Sequence, residues 1–241
     1  MDEQLANVEE RLAANIARVR AKIGEAARRV GRSPEEITLV AVSKTVPVEW
    51  VKIAYNLGVT DFGENRVQDA LPKIAEFHPR GMCWHMIGHL QSNKAGKVVS
   101  AFDIVQSVDS LHLAQVLNRY AEEEGKVLPV LLQVNVSGEE SKEGMTLDET
   151  PDVARQIVAL PCLRVDGLMT IAPLVDDAEK VRFVVRALRD LRERLRHEVA
   201  GGAGGAWSDL SMGMTDDYSV AIEEGATIVR VGRAIFGERV T

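Results

Sequence analysis

The chain has 241 residues, 46% hydrophobic and 27% charged, the mixture of a globular protein and neither a disordered nor a fibrous one. With 29 Lys and Arg against 36 Asp and Glu the formal net charge is −7, which argues against a general nucleic-acid binder. No apolar run approaches the roughly 20 residues of a membrane span, and the acidic start Met1-Asp2-Glu3-Gln4 lacks the form of a signal peptide. Two isolated cysteines, Cys83 and Cys162, fit a reducing cytoplasm and leave no thiolate zinc cluster.

The first predicted element is a helix over 3–30, with Leu5, Val8, Leu12, Ile16, Val19 and Ile23 on one face. Gly31 is its expected C-cap, and Ser33-Pro34-Glu35-Glu36 starts a short turn. Short apolar runs then predict strands near 38–43, 60–63, 83–88, 104–108, 129–136, 165–171, 208–212 and 227–231. Helical patterns separate them, near 48–57, 66–77, 92–99, 110–124, 148–159, 177–198 and 216–224. The arginines of the 177–198 helix read as a solvated face. Eight strands at roughly 30 residues per unit match a single-domain (β/α)8 TIM barrel over 1–241; an open doubly wound sheet is the alternative. After Val231 ten residues remain, too few for a full closing helix, so the extra N-terminal helix is expected to cover the last seam. The segment 201–206 reads as a flexible loop before the seventh strand.

Several motifs fail. The glycines at 201–205 do not make G-x-G-x-x-G and precede a strand, Gly96-Lys97 lacks the rest of a Walker loop, and no G-x-S-x-G is present. His85 and His89 are four apart, but one lies in a strand and the other beyond it, which does not favour a metal pair.

In this fold the chemistry sits at the C-terminal ends of the strands. The first strand ends in Ser43-Lys44-Thr45, where a lysine in a confined, partly desolvated mouth would have a lowered pKa and act as a nucleophile toward an aldehyde. The alternative is a strand-end lysine that snorkels to solvent. Ser92 or Asn93 can cap the helix that follows the third strand, and Lys94 in its first turn hints at an anionic partner. Asn135 and Thr170 read as packing and turn chemistry. The last two strands lead into Ser211-Met212-Gly213-Met214 and Arg230-Val231-Gly232-Arg233, glycine-containing loops of the kind that cradle a phosphate with backbone N–H groups, with Ser211 as an added hydroxyl donor. Thr215 or Asp216 is the expected cap of the next helix. An amine and a phosphate cradle at one mouth suit a small phosphorylated aldehyde, for which pyridoxal 5′-phosphate is the candidate.

These segments resemble a known family. Ala41-Val42-Ser43-Lys44-Thr45, Gly63-Glu64-Asn65, the run from Trp84 to Lys94, Val134-Asn135-Val136, Gly167-Leu168-Met169, Leu210 to Met214, Val229 to Gly232 and Ile235-Phe236-Gly237 are together similar to the pyridoxal phosphate homeostasis proteins, single-domain relatives of the alanine racemase barrel. The resemblance implies a Schiff base between Lys44 and pyridoxal phosphate, and Asn65 near the ring. It also implies Ser211 and Gly213 in the phosphate segment, backbone N–H groups of Gly232 and Arg233 on the phosphate, and Arg230 facing the pyridine nitrogen. Only Tyr218 of the three tyrosines is expected near the mouth, so the second base of a racemase is not identifiable. The expectation is a non-catalytic, monomeric, cytoplasmic carrier of vitamin B6, without catalytic or metal-ligating residues, which serves apo-enzymes. A pyridoxal phosphate-dependent amino-acid racemase is the second reading and a cofactor-independent Schiff-base aldolase the third.

Overall fold

Apolar residues in these strands alternate between two surroundings, which is what a sheet closed on itself requires. The computed structural model describes residues 3–139, 142–173, 175–199 and 207–238, and the loop predicted at 201–206 lies outside them. Its strands are β1 (Thr38–Val42), β2 (Asp61–Glu64), β3 (Cys83–Met86), β4 (Ile104–Val108), β5 (Leu128–Gln133), β6 (Leu163–Met169), β7 (Asp209–Ser211) and β8 (Ile228–Val231). All eight pair in parallel, in chain order, and β8 closes onto β1. Val40, Ile104, Leu131, Met169 and Ile228 meet inside the barrel, while their neighbours pack outward against the helices. The doubly wound alternative is thereby excluded.

The helices are α1 (Glu3–Arg29), α2 (Val48–Asn56), α3 (Val67–Glu76), α4 (Ala95–Ala101), α5 (Leu111–Glu123), α6 (Thr150–Ile157), α7 (Arg182–Glu198), α8 (Tyr218–Glu223) and the single turn α9 (Arg233–Phe236). Helix α1 buries Leu12, Ile16, Val19, Ile23, Ala26 and Ala27 and packs on α8, α9 and α2, so it covers the seam between the last and first units as expected. Asn15 ties it to the carbonyl of Ile235 at 2.9 Å. Gly31 takes φ +71°, with Arg32 N–H on Ala27 O and Gly31 N–H on Arg28 O, the paired bonds of a glycine-terminated helix.

The structure departs from the sequence reading where strands become mouth loops. The predicted strands 129–136 and 165–171 leave the sheet at Gln133 and Met169, because Val134 bridges to Met145 and Thr170 turns its hydroxyl to Val134 O. The helix predicted at 92–99 begins as a 3₁₀ turn, Ser92–Lys94, capped by no side chain, so neither Ser92 nor Asn93 serves as expected. The arginine face of α7 is only partly solvated: Arg182, Arg186 and Arg189 converge on the buried carboxylate of Glu224 at the end of α8.

Candidate functional site

Strand phase decides what faces the barrel interior. With Val40 inside, the period of two places Val42 and then residue 44 toward the same axis. The strand ends first, however. Val46 N–H bonds back to Ser43 O at 3.0 Å, closing a turn over residues 43–46, and Thr45 within it has φ +64°. A β-branched residue in the left-handed region costs about 1–3 kcal/mol. Lys44 is consequently exposed on this turn. The confinement expected around it is not supplied by the protein walls, which corrects the sequence reading of a desolvated lysine.

The turn is held from below. Lys73 of α3 donates to Ser43 O at 2.7 Å and to Glu64 Oε1 at 2.8 Å, and the Ser43 hydroxyl reaches the same carboxylate oxygen at 2.8 Å. Glu64 is fully buried, and its Oε2 has no hydrogen-bond partner among the described residues. The charge is thus compensated by one lysine, on the helix side of β2.

Asn65, one residue on, is half-buried, and its side-chain oxygen is buried without a hydrogen bond. A cavity of about 220 Å³ opens beside it, lined by Arg66, His89 and Lys94 among others. Lys94 stands at the N-terminal boundary of α4, where its side chain makes no cap, and is not inside the first turn. A larger cavity of about 360 Å³, lined by Arg20, Thr38 and Asp61, lies at the opposite, N-terminal end of the strands, away from the loops that carry the candidate residues.

Arg230 is the floor of the mouth. It is 4% exposed, and its two terminal nitrogens donate to Ser211 Oγ at 2.6 Å and to Thr170 O at 2.8 Å. Burial brings its pKa down to about 10, against the nearby charge of Asp217. Ser211 is also fully buried and gives its single proton to Gln106 Oε1 at 2.6 Å. The hydroxyl donor expected for a phosphate is therefore already committed, and what Ser211 offers outward is backbone.

Gly213 has φ +92°, and a Cβ there would stand 2.7 Å from the Ala221 Cβ, so the segment passes too close to α8 for any side chain. The loop is braced by Asp217, whose carboxylate accepts from Met214 N–H at 2.5 Å. Burial raises the Asp217 pKa and this N–H opposes the rise. Asp217 is the N-terminal boundary residue of α8 and makes no side-chain cap, so the capping role expected of Thr215 or Asp216 is not realised. Gly232 heads α9 without a side-chain cap, and a Cβ on it would meet Val42 at 3.3 Å. The exposed Arg233 side chain pairs with Asp216, leaving its backbone at the mouth.

Because β1 pairs with β8 and β8 with β7, the ends of β1 and β7 stand about two strand spacings, roughly 10 Å, apart. Lys44, Gly232, Arg230 and the 211–213 segment therefore belong to one end of three adjoining strands. The Tyr218 backbone lies against Gly213, near the mouth as expected, but its side chain is buried, with burial and then Glu25 of α1 raising its pKa. The Asn135 side chain makes loop contacts, donating to Glu139 O and Lys142 O and accepting from the Ser137 hydroxyl and Gly138 N–H, as the sequence suggested. His85 faces the barrel interior against Asp61 and Gln106, whereas His89 lies at the mouth near Asp109 and Glu143, so the two histidines share no site. Cys83 lies within ligand distance of His85 and Asp61, but burial, with Asp103 and Asp61, pushes its thiol up to about 12.

Sequence reasoning missed Gln106, Thr170, Lys73 and Asp217 as parts of this end of the barrel. For Gln106 the signal was present: Gln106-Ser107 interrupt an otherwise apolar strand, and the period of two puts Gln106 on the inner face.

Comparison with known proteins agrees with this geometry. Residues 9–240 match the family profile described as alanine racemase, N-terminal domain. The pyridoxal phosphate homeostasis protein of Escherichia coli K12 is 44% identical over 235 residues, covering 95% of this chain and 97% of that protein. The protein of the same name from Aquifex aeolicus is 41% identical, with 93% and 96% covered. PipY of Synechococcus elongatus, solved with PLP bound, superposes with a TM-score of 0.81 at 35% identity and covers 94% of this chain and all (100%) of its own. An alanine racemase of Clostridium difficile shares the fold at a TM-score of 0.71 and 15% identity, with 96% of this chain matching 58% of that one. No described helix is long and apolar enough to cross a membrane. The chain is thus a member of the pyridoxal phosphate homeostasis protein family, built on the alanine racemase N-terminal-domain barrel.

Proposed function

We propose that this mouth holds pyridoxal 5′-phosphate as a Schiff base on Lys44, and that the protein carries the cofactor for vitamin B6 and amino-acid homeostasis. The observation that carries the reading is the buried Arg230 guanidinium, which among the described residues donates to a hydroxyl and a carbonyl and to no carboxylate, on the strand next to the one that presents Lys44. The bound aldehyde would supply an electrophilic carbon that takes an amine with loss of water and returns it on hydrolysis. Lys44 offers that amine from an exposed turn, where aldehyde and water both have access. Gly213 and Gly232 would let a phosphate approach the backbone closely, with the N–H groups of Gly232 and Arg233 as its donors. Arg230 can only donate, so it keeps a ring nitrogen unprotonated and the ring a weak electron sink. The buried, unbonded Asn65 oxygen would serve as an acceptor at the edge of the ring.

A carrier fits better than a two-base racemase. Tyr55 meets Phe77 edge-on, Tyr120 lies under Arg119, and the Tyr218 side chain is buried, so each of the three is engaged in packing. In this reading the protein acts as a cytoplasmic monomer and releases the aldehyde to apo-enzymes by hydrolysis.

Borohydride reduction of the loaded protein, followed by peptide mass spectrometry, tests it. The added mass should sit on Lys44, and Lys44→Ala should lose the visible band with an unchanged melting temperature. A coloured Lys44→Ala protein would remove Lys44 from the site. Interconversion of L- and D-amino acids at useful turnover would favour the racemase instead.

A further inference from the structure

Between Arg230 and the far wall of the barrel runs an unbroken chain of buried polar side chains. Arg230 donates to Ser211 Oγ at 2.6 Å and Ser211 donates to Gln106 Oε1 at 2.6 Å. Gln106 Nε2 meets His85 Nδ1 at 2.8 Å, and His85 Nε2 meets Asp61 Oδ1 at 3.0 Å. Arg230, Ser211, Gln106 and His85 are at most 4% exposed, on four different strands.

The direction of every bond follows from one end. A guanidinium has no acceptor, so Ser211 Oγ must accept from it and spend its own proton elsewhere. That proton fixes the Gln106 amide with its oxygen toward Ser211 and its NH2 toward His85. His85 Nδ1 must then be the acceptor, which leaves the ring neutral with its proton on Nε2, pointing at Asp61. Burial pushes the Asp61 carboxyl up, but the hydrogen bonds from His85 and Thr60 outweigh it and hold the carboxyl below the usual aspartate range. A buried cation that no carboxylate hydrogen-bonds among the described residues, Asp217 acting on it only through space, is thereby linked through three neutral groups to a carboxylate on β2. Bonds aligned in one direction polarise one another.

We propose that Gln106, with His85 behind it, is a positioning residue: through Ser211 it orients the Arg230 guanidinium toward the ligand at the mouth. That this ligand is a pyridine aldehyde rests on the function proposed above; the relay itself does not.

Two readouts separate these. In the unloaded protein, ¹⁵N NMR of the imidazole should show His85 as the Nε2–H tautomer. Ser211→Ala, which does not touch His85, should release Gln106 to turn and weaken the hydrogen bond at Nδ1, shifting the Nδ1 resonance while Asp61 still holds the proton on Nε2. Gln106→Glu, an acceptor at both oxygens, should hold His85 doubly protonated to higher pH, and Gln106→Leu should leave the ring free to exchange. In the protein loaded with pyridoxal 5′-phosphate, Gln106→Leu should still be reduced onto Lys44, but with a shifted absorption maximum and retention weaker on the order of tenfold, the loss of about one hydrogen bond to a charged group. An unchanged His85 Nδ1 resonance in folded Ser211→Ala would overturn the relay. An unchanged band and release rate in folded Gln106→Leu would overturn its action on the mouth. Failure of wild type to label at Lys44, with the NMR pattern intact, would instead strike the proposed ligand and leave the relay standing.

Discussion

Gly88 has no room for a side chain. A Cβ built there would stand 2.2 Å from the Asn65 carbonyl oxygen and 2.7 Å from its Cα. Both neighbours are backbone, so the β2 loop would have to move, carrying Asn65 with it. Gly88→Ala should destabilise the protein by about 3 kcal/mol or more and loosen any ligand held at Asn65. Urea unfolding and the visible band of the loaded protein check the two effects; a wild-type midpoint would show that the loop yields cheaply. Nothing in the residues around Gly88 announces this, because the obstacle is a chain segment more than 20 positions earlier. Lys44 shows the same limit in reverse. Its type and place at a strand end are legible, but its exposure depends on where β1 stops and how Lys73 pins the turn.

At the scale of elements, α7 and α8 are joined by charge. The Glu224 carboxylate receives Arg182, Arg186 and Arg189, at 2.8 to 3.0 Å. Hydrogen bonding from Arg186 is the largest cause that lowers its pKa, aided by Arg182 and Arg189 against burial, and brings it to about 2. An unfolded glutamate titrates near ~4.3. The clamp's contribution is therefore complete above that value and is lost as pH falls through about 2. Glu224→Gln should cost about 2 kcal/mol at neutral pH and flatten the decline of melting temperature on acidification. A variant that declines as steeply as wild type would move the acid sensitivity to another carboxylate. The amphipathic pattern of α7 was plain in the chain, but its arginines looked merely solvated, since a partner about 40 residues away leaves no local mark.

For the whole molecule the decisive element is α1. Among the described residues the helix after β8, α9, is a single turn, and α1 packs on α8, α9 and α2 across the seam between the last and first units. Its buried Leu12, Ile16, Val19 and Ile23 each remove from water a side chain worth about 1.5–3 kcal/mol. Removal of residues 1–29 should yield a protein that binds hydrophobic dye and loses cooperative unfolding, while Leu12→Ala alone should cost about 2–5 kcal/mol in urea. A truncated chain that still melts cooperatively would show that the barrel closes without it.

The barrel, its eight strands and the role of α1 were readable from the chain because they rest on local periodicity: period two or continuous apolar runs in strands, a 3.6-residue stripe in helices. The residues of the mouth were readable as members of a family pattern, each at the end of a strand. Only the folded chain decided how they connect. Ser211, Gln106, His85 and Asp61 lie on four strands, and which lone pair meets which proton is set by barrel closure and strand register, quantities that depend on contacts far apart in sequence.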